Sequence, residues 1–203
     1  MPVLSHPEYH VLNAVALRKM LAMTALPDAM PEVTDPTGTV GGLVASGLIV
    51  DAGGYLLPTD DAAPVLAETA AQLYADVRTD GAVLDLLDRF ETTNKSLLTT
   101  MSDWQQVTVA GRKVTNDHSD AAYDGRIIDK IDKLVSRLDA LLGALGAHDD
   151  HFLAYRERFA SALHDVDTGD IDMVSSPTRE SVHTIWFEFH EDLLRVLGRA
   201  RTE

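Results

Sequence analysis

Residues 42–68 read GLVASGLIVDAGGYLLPTDDAAPVLAE and change character twice along the way. Leu43 and Val44, with Val40 just upstream, recur at helical spacing and stop at Gly47, the residue type best suited to closing a helix in a left-handed conformation. Leu48-Ile49-Val50 and Tyr55-Leu56-Leu57 are short β-prone runs. Asp51-Ala52-Gly53-Gly54 between them supplies residues that tolerate positive φ, so the sequence predicts a β-hairpin. Asp60 or Asp61 then starts a helix through Val65, Leu66, Ala70, Leu73 and Val77.

Upstream, Val11, Leu12, Val15, Leu17, Met20 and Leu21 predict a core-facing helix from Glu8 to about Thr24. Pro27, Pro31 and Pro36 leave room for only a short helical turn before a helix capped by Thr37 or Thr39. Helix, short helix, helix, hairpin, helix resembles a winged helix, and residues 42–68 resemble the helix–wing–helix portion of MarR-like regulators. The resemblance covers about residues 8–77 and describes a fold more than a function.

From Thr79 onward the periodicity is helical to the end. Asp80 caps a helix through Val83, Leu86, Leu87 and Phe90; Thr92 or Thr93 precedes one through Leu97, Leu98, Met101 and Trp104. A long helix opens at Asp117 to Asp120 and runs past Ile127, Ile131 and Leu138 to Gly146. Two more helices follow, separated by the loop DVDTGDIDMVSSPTRE. The expected fold is mainly α: a winged-helix domain with one β-hairpin over residues 1–78, followed by a helical bundle over 79–203.

Charge restricts the partners. The chain of 203 residues carries 17 Lys+Arg against 32 Asp+Glu, a formal charge of −15, which opposes attraction to phosphate backbones and anionic membranes. No Lys or Arg occurs from Met20 through Val77, an interval that holds eight acids together with the whole would-be recognition helix and wing. DNA binding draws much of its free energy from cations that displace counterions, so it is not expected. Without cysteine there are no disulfides and no thiolate chemistry. No signal peptide or membrane-spanning run is legible, and the expected location is cytoplasmic.

Two polar segments exceed what a bundle needs. Asn116, Asp117, His118, Asp120, Tyr123 and Asp124 crowd the start of the long helix. Asn116, Asp117 and Asp120 are explained by capping, whereas Asp124 lies one turn beyond Asp120 and partly follows the Ile127–Ile131 side, facing the bundle. In the last helix, His183 and His190 fall in the apolar arc seven residues apart, opposite an arc of Ser181, Thr184, Glu188, Glu191, Asp192, Arg195 and Arg199. Trp104, Tyr123, Tyr155 and Trp186 offer aromatic walls. These residues together predict a ligand pocket of Trp104, Asn116, His118, Asp120, Tyr123, Asp124, Tyr155, His183, Trp186 and His190. Within it, His118, Asp120, Asp124, His183 and His190 are candidate ligands for a divalent metal, although no Glu-x-x-His diiron pattern is present.

The strings WQ, NDHSDAAYD, YRERF and SVHTIWFEFHEDLLRVLGR, from Trp104 to Arg199, are similar to a helical region of actinobacterial proteins related to phosphoenolpyruvate-utilising enzymes and pyruvate phosphate dikinases. The chain lacks the ATP-grasp and phosphohistidine domains of those enzymes, so the resemblance implies an accessory or regulatory module. No P-loop, GxGxxG, GxSxG or HExxH motif occurs, and the reading leans away from an enzyme. The expected function is a ligand-sensing regulatory or protein-interaction module, partnered by a small molecule, another protein or a second copy of this chain. The alternatives are a MarR-like transcriptional regulator and a small metal-dependent enzyme using the His/Asp cluster.

Overall fold

A computed structural model describes residues 3–30 and 33–199. The fold is mainly helical with an N-terminal β-hairpin, as expected. The chain divides into two compact units, Met1–Thr79 with Glu188–Glu203, and Asp80–Phe187. The expected division into 1–78 and 79–203 did not foresee that the end of the last helix, Val182–Leu197, would be counted with the first unit.

In the first unit, α1 (His6–Arg18) is followed by β1 (Leu21–Ala22), α2 (Leu26–Ala29), α3 (Pro36–Ala45), β2 (Ile49–Asp51), β3 (Tyr55–Pro58) and α4 (Ala62–Leu73). The first helix is shorter than its apolar periodicity predicts. Lys19 turns left-handed at φ 62°, and Leu21 and Ala22 pair with Leu56 and Tyr55 as a third strand, giving the sheet order β1-β3-β2. The hairpin forms as the sequence dictates, with Val50 opposite Leu57, and the Asp51 carboxylate accepts from Gly54 N–H at 2.7 Å across the turn. Asp35, rather than either threonine, caps α3 by accepting from Gly38 N–H at 2.9 Å, and Pro36 occupies the first helical position, where its missing N–H is not needed. Gly47 closes that helix at φ 75°, and the amide of Leu48 returns to the Leu43 carbonyl. Tyr9, Val11, Leu12 and Val15 are wholly buried where α1 packs against α3, α4 and β3.

The supposed polar arc of the last helix is not its solvent face. Asp192 is buried and accepts from Asn13 Nδ2 at 2.7 Å; Glu188 is buried and pairs with Arg18 at 3.3 Å; and Arg195 donates to Asn13. Phe187, an aromatic residue outside that polar arc, is exposed. Buried carboxylates persist only when paired, and α1 supplies the pairs.

The second unit begins with α5 (Gly81–Gln105), one helix where two were expected. Asp80 caps it as predicted, accepting from Ala82 and Val83 amides. The Thr92-Thr93 pair does not interrupt it, and the buried Thr93 hydroxyl is satisfied by donating to the Arg89 carbonyl one turn back. Val83, Leu87, Phe90, Asn94, Leu97, Met101 and Trp104 form its buried seam. The chain then enters a second hairpin, β4 (Gln106–Val109) and β5 (Arg112–Thr115), where only helix was expected. Ala110 and Gly111, at φ 50° and 78°, make its two-residue turn. The predicted long helix is two, α6 (Ala121–Ser136) and α7 (Asp139–Gly146), because the amides of Arg137 and Leu138 bond three residues back instead of four. After α8 (Ala154–Asp167) comes α9 (Val182–Leu197). Both α6 and α7 pack on α5, and α8 lies against the 3₁₀ turn Ile171–Val174.

Candidate functional site

The second hairpin delivers Asn116 to the end of α5, where its amide donates to the Gln105 carbonyl at 2.9 Å. The buried side chain then organises three neighbours. Its Nδ2 donates to the Trp104 carbonyl at 3.0 Å and to Asp124 Oδ1 at 2.9 Å, and its Oδ1 accepts from His118 N–H at 3.1 Å. That last bond holds His118 left-handed at φ 56°, a conformation costing a non-glycine residue about 1–2 kcal/mol. Asp117 accepts from the Ser119 hydroxyl and amide, which hold its carboxyl below the usual range. Asp120 caps α6 through the amides of Ala122 and Tyr123.

Asp124, one turn into α6, shares the buried stripe of Ile127, Ile131 and Leu134, and its Oδ2 lies 3.0 Å from His118 Nδ1. A carboxylate only accepts, so Asp124 selects the tautomer with the proton on Nδ1, the one in which Nε2 is the acceptor. The Trp104 ring lies against the imidazole, centroids 4.3 Å apart and tilted by 39°. His118 remains partly exposed, because one side of it lines a cavity of about 300 Å³. Trp104 forms a second wall, and Ile171, Asp172, Ser175, Ser176 and Pro177 supply the rest. That loop is braced: Arg179 grips the Asp170 carboxylate with both terminal nitrogens, at 3.0 and 2.7 Å, and the Ser181 and Thr184 hydroxyls donate to the Ser176 carbonyl.

Trp104, Asn116, His118 and Asp124 are therefore brought together as the sequence predicts. Tyr123 flanks them, donating its hydroxyl to the Asp103 carbonyl at 2.9 Å; burial first, then the negative charges of Asp103 and Asp124, push its pKa up. Asp120 is exposed and spent as a cap. Two expected aromatic walls are core instead. Trp186 is buried, stacked on Phe90 at 5.8 Å with its indole N–H donating to Asn94 Oδ1 at 3.0 Å, and Tyr155 is buried beneath Arg158. His190 is buried but belongs to the first unit. His183 is half-buried and makes no hydrogen bond to the His118–Asp124 group. Among the described residues, no three of His118, Asp120, Asp124 and His183 come close enough to chelate a metal, because Asp124 faces Asn116 and His118 and Asp120 faces α6.

The chain matches no protein-family model, no curated protein and no solved structure.

The loop wall of the cavity was missed as a site. Its signal was the run Asp172–Pro177, polar and proline-ended but without helical periodicity. In the first unit, His6 and His10 bring Nε2 atoms to 3.1 Å, one ring donating to the other, a pair readable from the His-x-x-x-His spacing.

Burial holds the His183 imidazole below its ordinary pKa of 6.5. The unfolded chain then binds the proton more readily, so this group's contribution to stability is complete above about pH 6.5 and is lost as pH falls toward the depressed folded value. Urea unfolding between pH 5 and 7.5 should show a steeper acid loss in the natural chain than in His183→Gln. Equal slopes would contradict it.

Proposed function

We propose that the second unit binds a small polar ligand in the cavity at His118 and that the chain serves as a ligand-sensing regulatory or protein-interaction module. The observation that carries this reading is the buried Asp124 carboxylate fixing His118 Nδ1, which leaves Nε2 as an acceptor beside an aromatic wall. A left-handed histidine retained at a cavity also fits a binding role better than a packing one, since the strain contributes nothing to the core. Asp172 and the hydroxyls of Ser175 and Ser176 add further acceptors, which favours a ligand rich in hydrogen-bond donors. Exposed apolar side chains on α3 and the first hairpin, Val44, Val50 and Tyr55, support contact with another protein.

Histidine-labelled protein screened by NMR against small amines, amides and hydroxylated heterocycles tests the reading. A binder should shift the His118 ring and Trp104 indole resonances and should lose affinity at least ~10-fold in His118→Asn, which tolerates the same backbone conformation. If every binder found leaves both resonances unmoved, the site is not a ligand site.

The DNA-binding alternative rests on the order of elements in the first unit. Against it stands α3, whose outward residues Thr37, Gly41, Gly42, Val44 and Ala45 include no cation. Duplex DNA is expected to bind no better than to an acidic control protein. A salt-dependent specific complex with a dissociation constant below about 10⁻⁷ M in a mobility-shift assay would restore that alternative.

A further inference from the structure

Five Lys or Arg residues lie in the described part of the first unit, Arg18, Lys19, Arg78, Arg195 and Arg199, and three of them line one cavity of about 480 Å³. Ala67 and Gly198 share its wall with Glu191, its one acid among the described residues. In a chain of formal charge −15, such a concentration of guanidinium groups is a local inversion of sign. We infer that this cavity is a second binding site, for a small molecule bearing two or more negatively charged oxygens.

The simpler explanation is that cations gather there to neutralise the C-terminal end of α9. The helix end is already closed without most of them. Gly198, at φ 64°, donates to the Arg195 carbonyl at 3.0 Å, and Arg199 N–H returns to the Leu194 carbonyl at 2.9 Å, the paired bonds of a glycine-terminated helix. Arg78 meets the Val196 carbonyl, giving it Nε at 2.6 Å, and shares the Arg195 carbonyl with Gly198, giving it Nη2 at 3.3 Å. A Cβ on Gly198 would stand 3.1 Å from the Arg78 guanidinium, so glycine is what lets that group lie against the turn. Arg195 is anchored from the other side by its bond to Asn13. Arg199 makes no side-chain hydrogen bond or ion pair among the described residues.

Two guanidinium groups are thus pre-positioned along one edge each, and a third is uncommitted. Each guanidinium has five N–H donors, so anchoring leaves several on every arginine for a ligand. After Glu191 and about half a negative charge from the helix end are set against three arginines, the cavity keeps a positive balance. Planar guanidinium forks match phosphate and carboxylate oxygens pairwise, and 480 Å³ accommodates a metabolite-sized ligand.

Calorimetric titration of the full chain with pyrophosphate and, separately, with citrate distinguishes the two sources of such oxygens. Saturable binding is expected with a dissociation constant below about 1 mM at low salt, weakening as salt rises. Pyrophosphate binding alone assigns a phosphate-bearing ligand; binding of both assigns the site to polyanions generally. Ala67 is exposed on α4, and alanine, glutamate and glutamine are all good helix formers, so substitutions there leave the fold intact. Ala67→Glu places a carboxylate at the cavity wall and should weaken binding at least ~10-fold, whereas Ala67→Gln, of the same size, should weaken it far less. Neither anion binding, or binding that survives Ala67→Glu unchanged, overturns the inference and leaves the arginines as a helix terminus.

Discussion

Replacing Trp186 with alanine is expected to lower stability by about 3–5 kcal/mol, the range for removing a buried indole. The ring is 2% exposed, stacks on Phe90, meets Phe159 edge-on at 6.0 Å and donates to Asn94. Against a total of about 5–15 kcal/mol for a domain, such a loss is a large fraction of the stability and would lower the melting temperature markedly. Trp186→Phe keeps most of the contact area but removes the hydrogen bond to Asn94 Oδ1, at about 0.5–1.5 kcal/mol. Thermal and urea melts followed by tryptophan fluorescence, with Trp104 as the remaining reporter, measure both. A loss under about 1 kcal/mol for the alanine variant would show that the indole is not the keystone of this core.

The second large effect is expected at Asp124. Asp124→Ala removes the acceptor for Asn116 Nδ2 and for His118 Nδ1 together, and two buried or half-buried donors without acceptors destabilise by about 2–4 kcal/mol. Asp124→Asn separates structure from chemistry. The side chain keeps its shape and can still accept from Asn116, but an amide nitrogen facing Nδ1 drives the imidazole to carry its proton on Nε2. Stability should fall by only about 1 kcal/mol while ligand binding at the cavity is lost, because the acceptor has become a donor. Nitrogen-15 shifts of the His118 ring report the tautomer directly. If Asp124→Asn left the tautomer and binding unchanged, Asp124 would be an architectural carboxylate only.

How much of this was legible in the chain depends on what each signal measures. The Asp51–Gly54 turn was readable because its residue types carry backbone preferences with them. The second hairpin was equally local, yet QVTVAGRKVT lies among helices and turns on Ala-Gly, and Ala110 supplies a positive φ that its side chain does not advertise. Asp120 and Asp124 show the limit of periodicity. One turn apart on a continuous stripe, they part company because α6 begins between them, so the first caps and the second is buried. Trp186 reads as a pocket wall or a core residue with equal ease. Only Asn94, 92 residues earlier, settles that it is core, and no pattern within either helix encodes their meeting. The same holds for Asp192, whose partner Asn13 is 179 residues away.

That separation has a consequence for synthesis. The sheet and the helices α1 to α4 leave the ribosome before the second unit, but Asp192 and the carbonyls that receive Arg78 follow only after the 108 residues of Asp80–Phe187. At roughly 5–20 residues per second, this amounts to an interval on the order of 5–20 seconds. During it, Asn13 and Arg78 wait without their eventual acceptors, and the apolar surface destined for Leu193 and Val196, both wholly buried in the finished protein, stands open. The unit begun earlier is thus finished only after its neighbour, and its exposure to chaperones and proteases is set by the translation time of that neighbour.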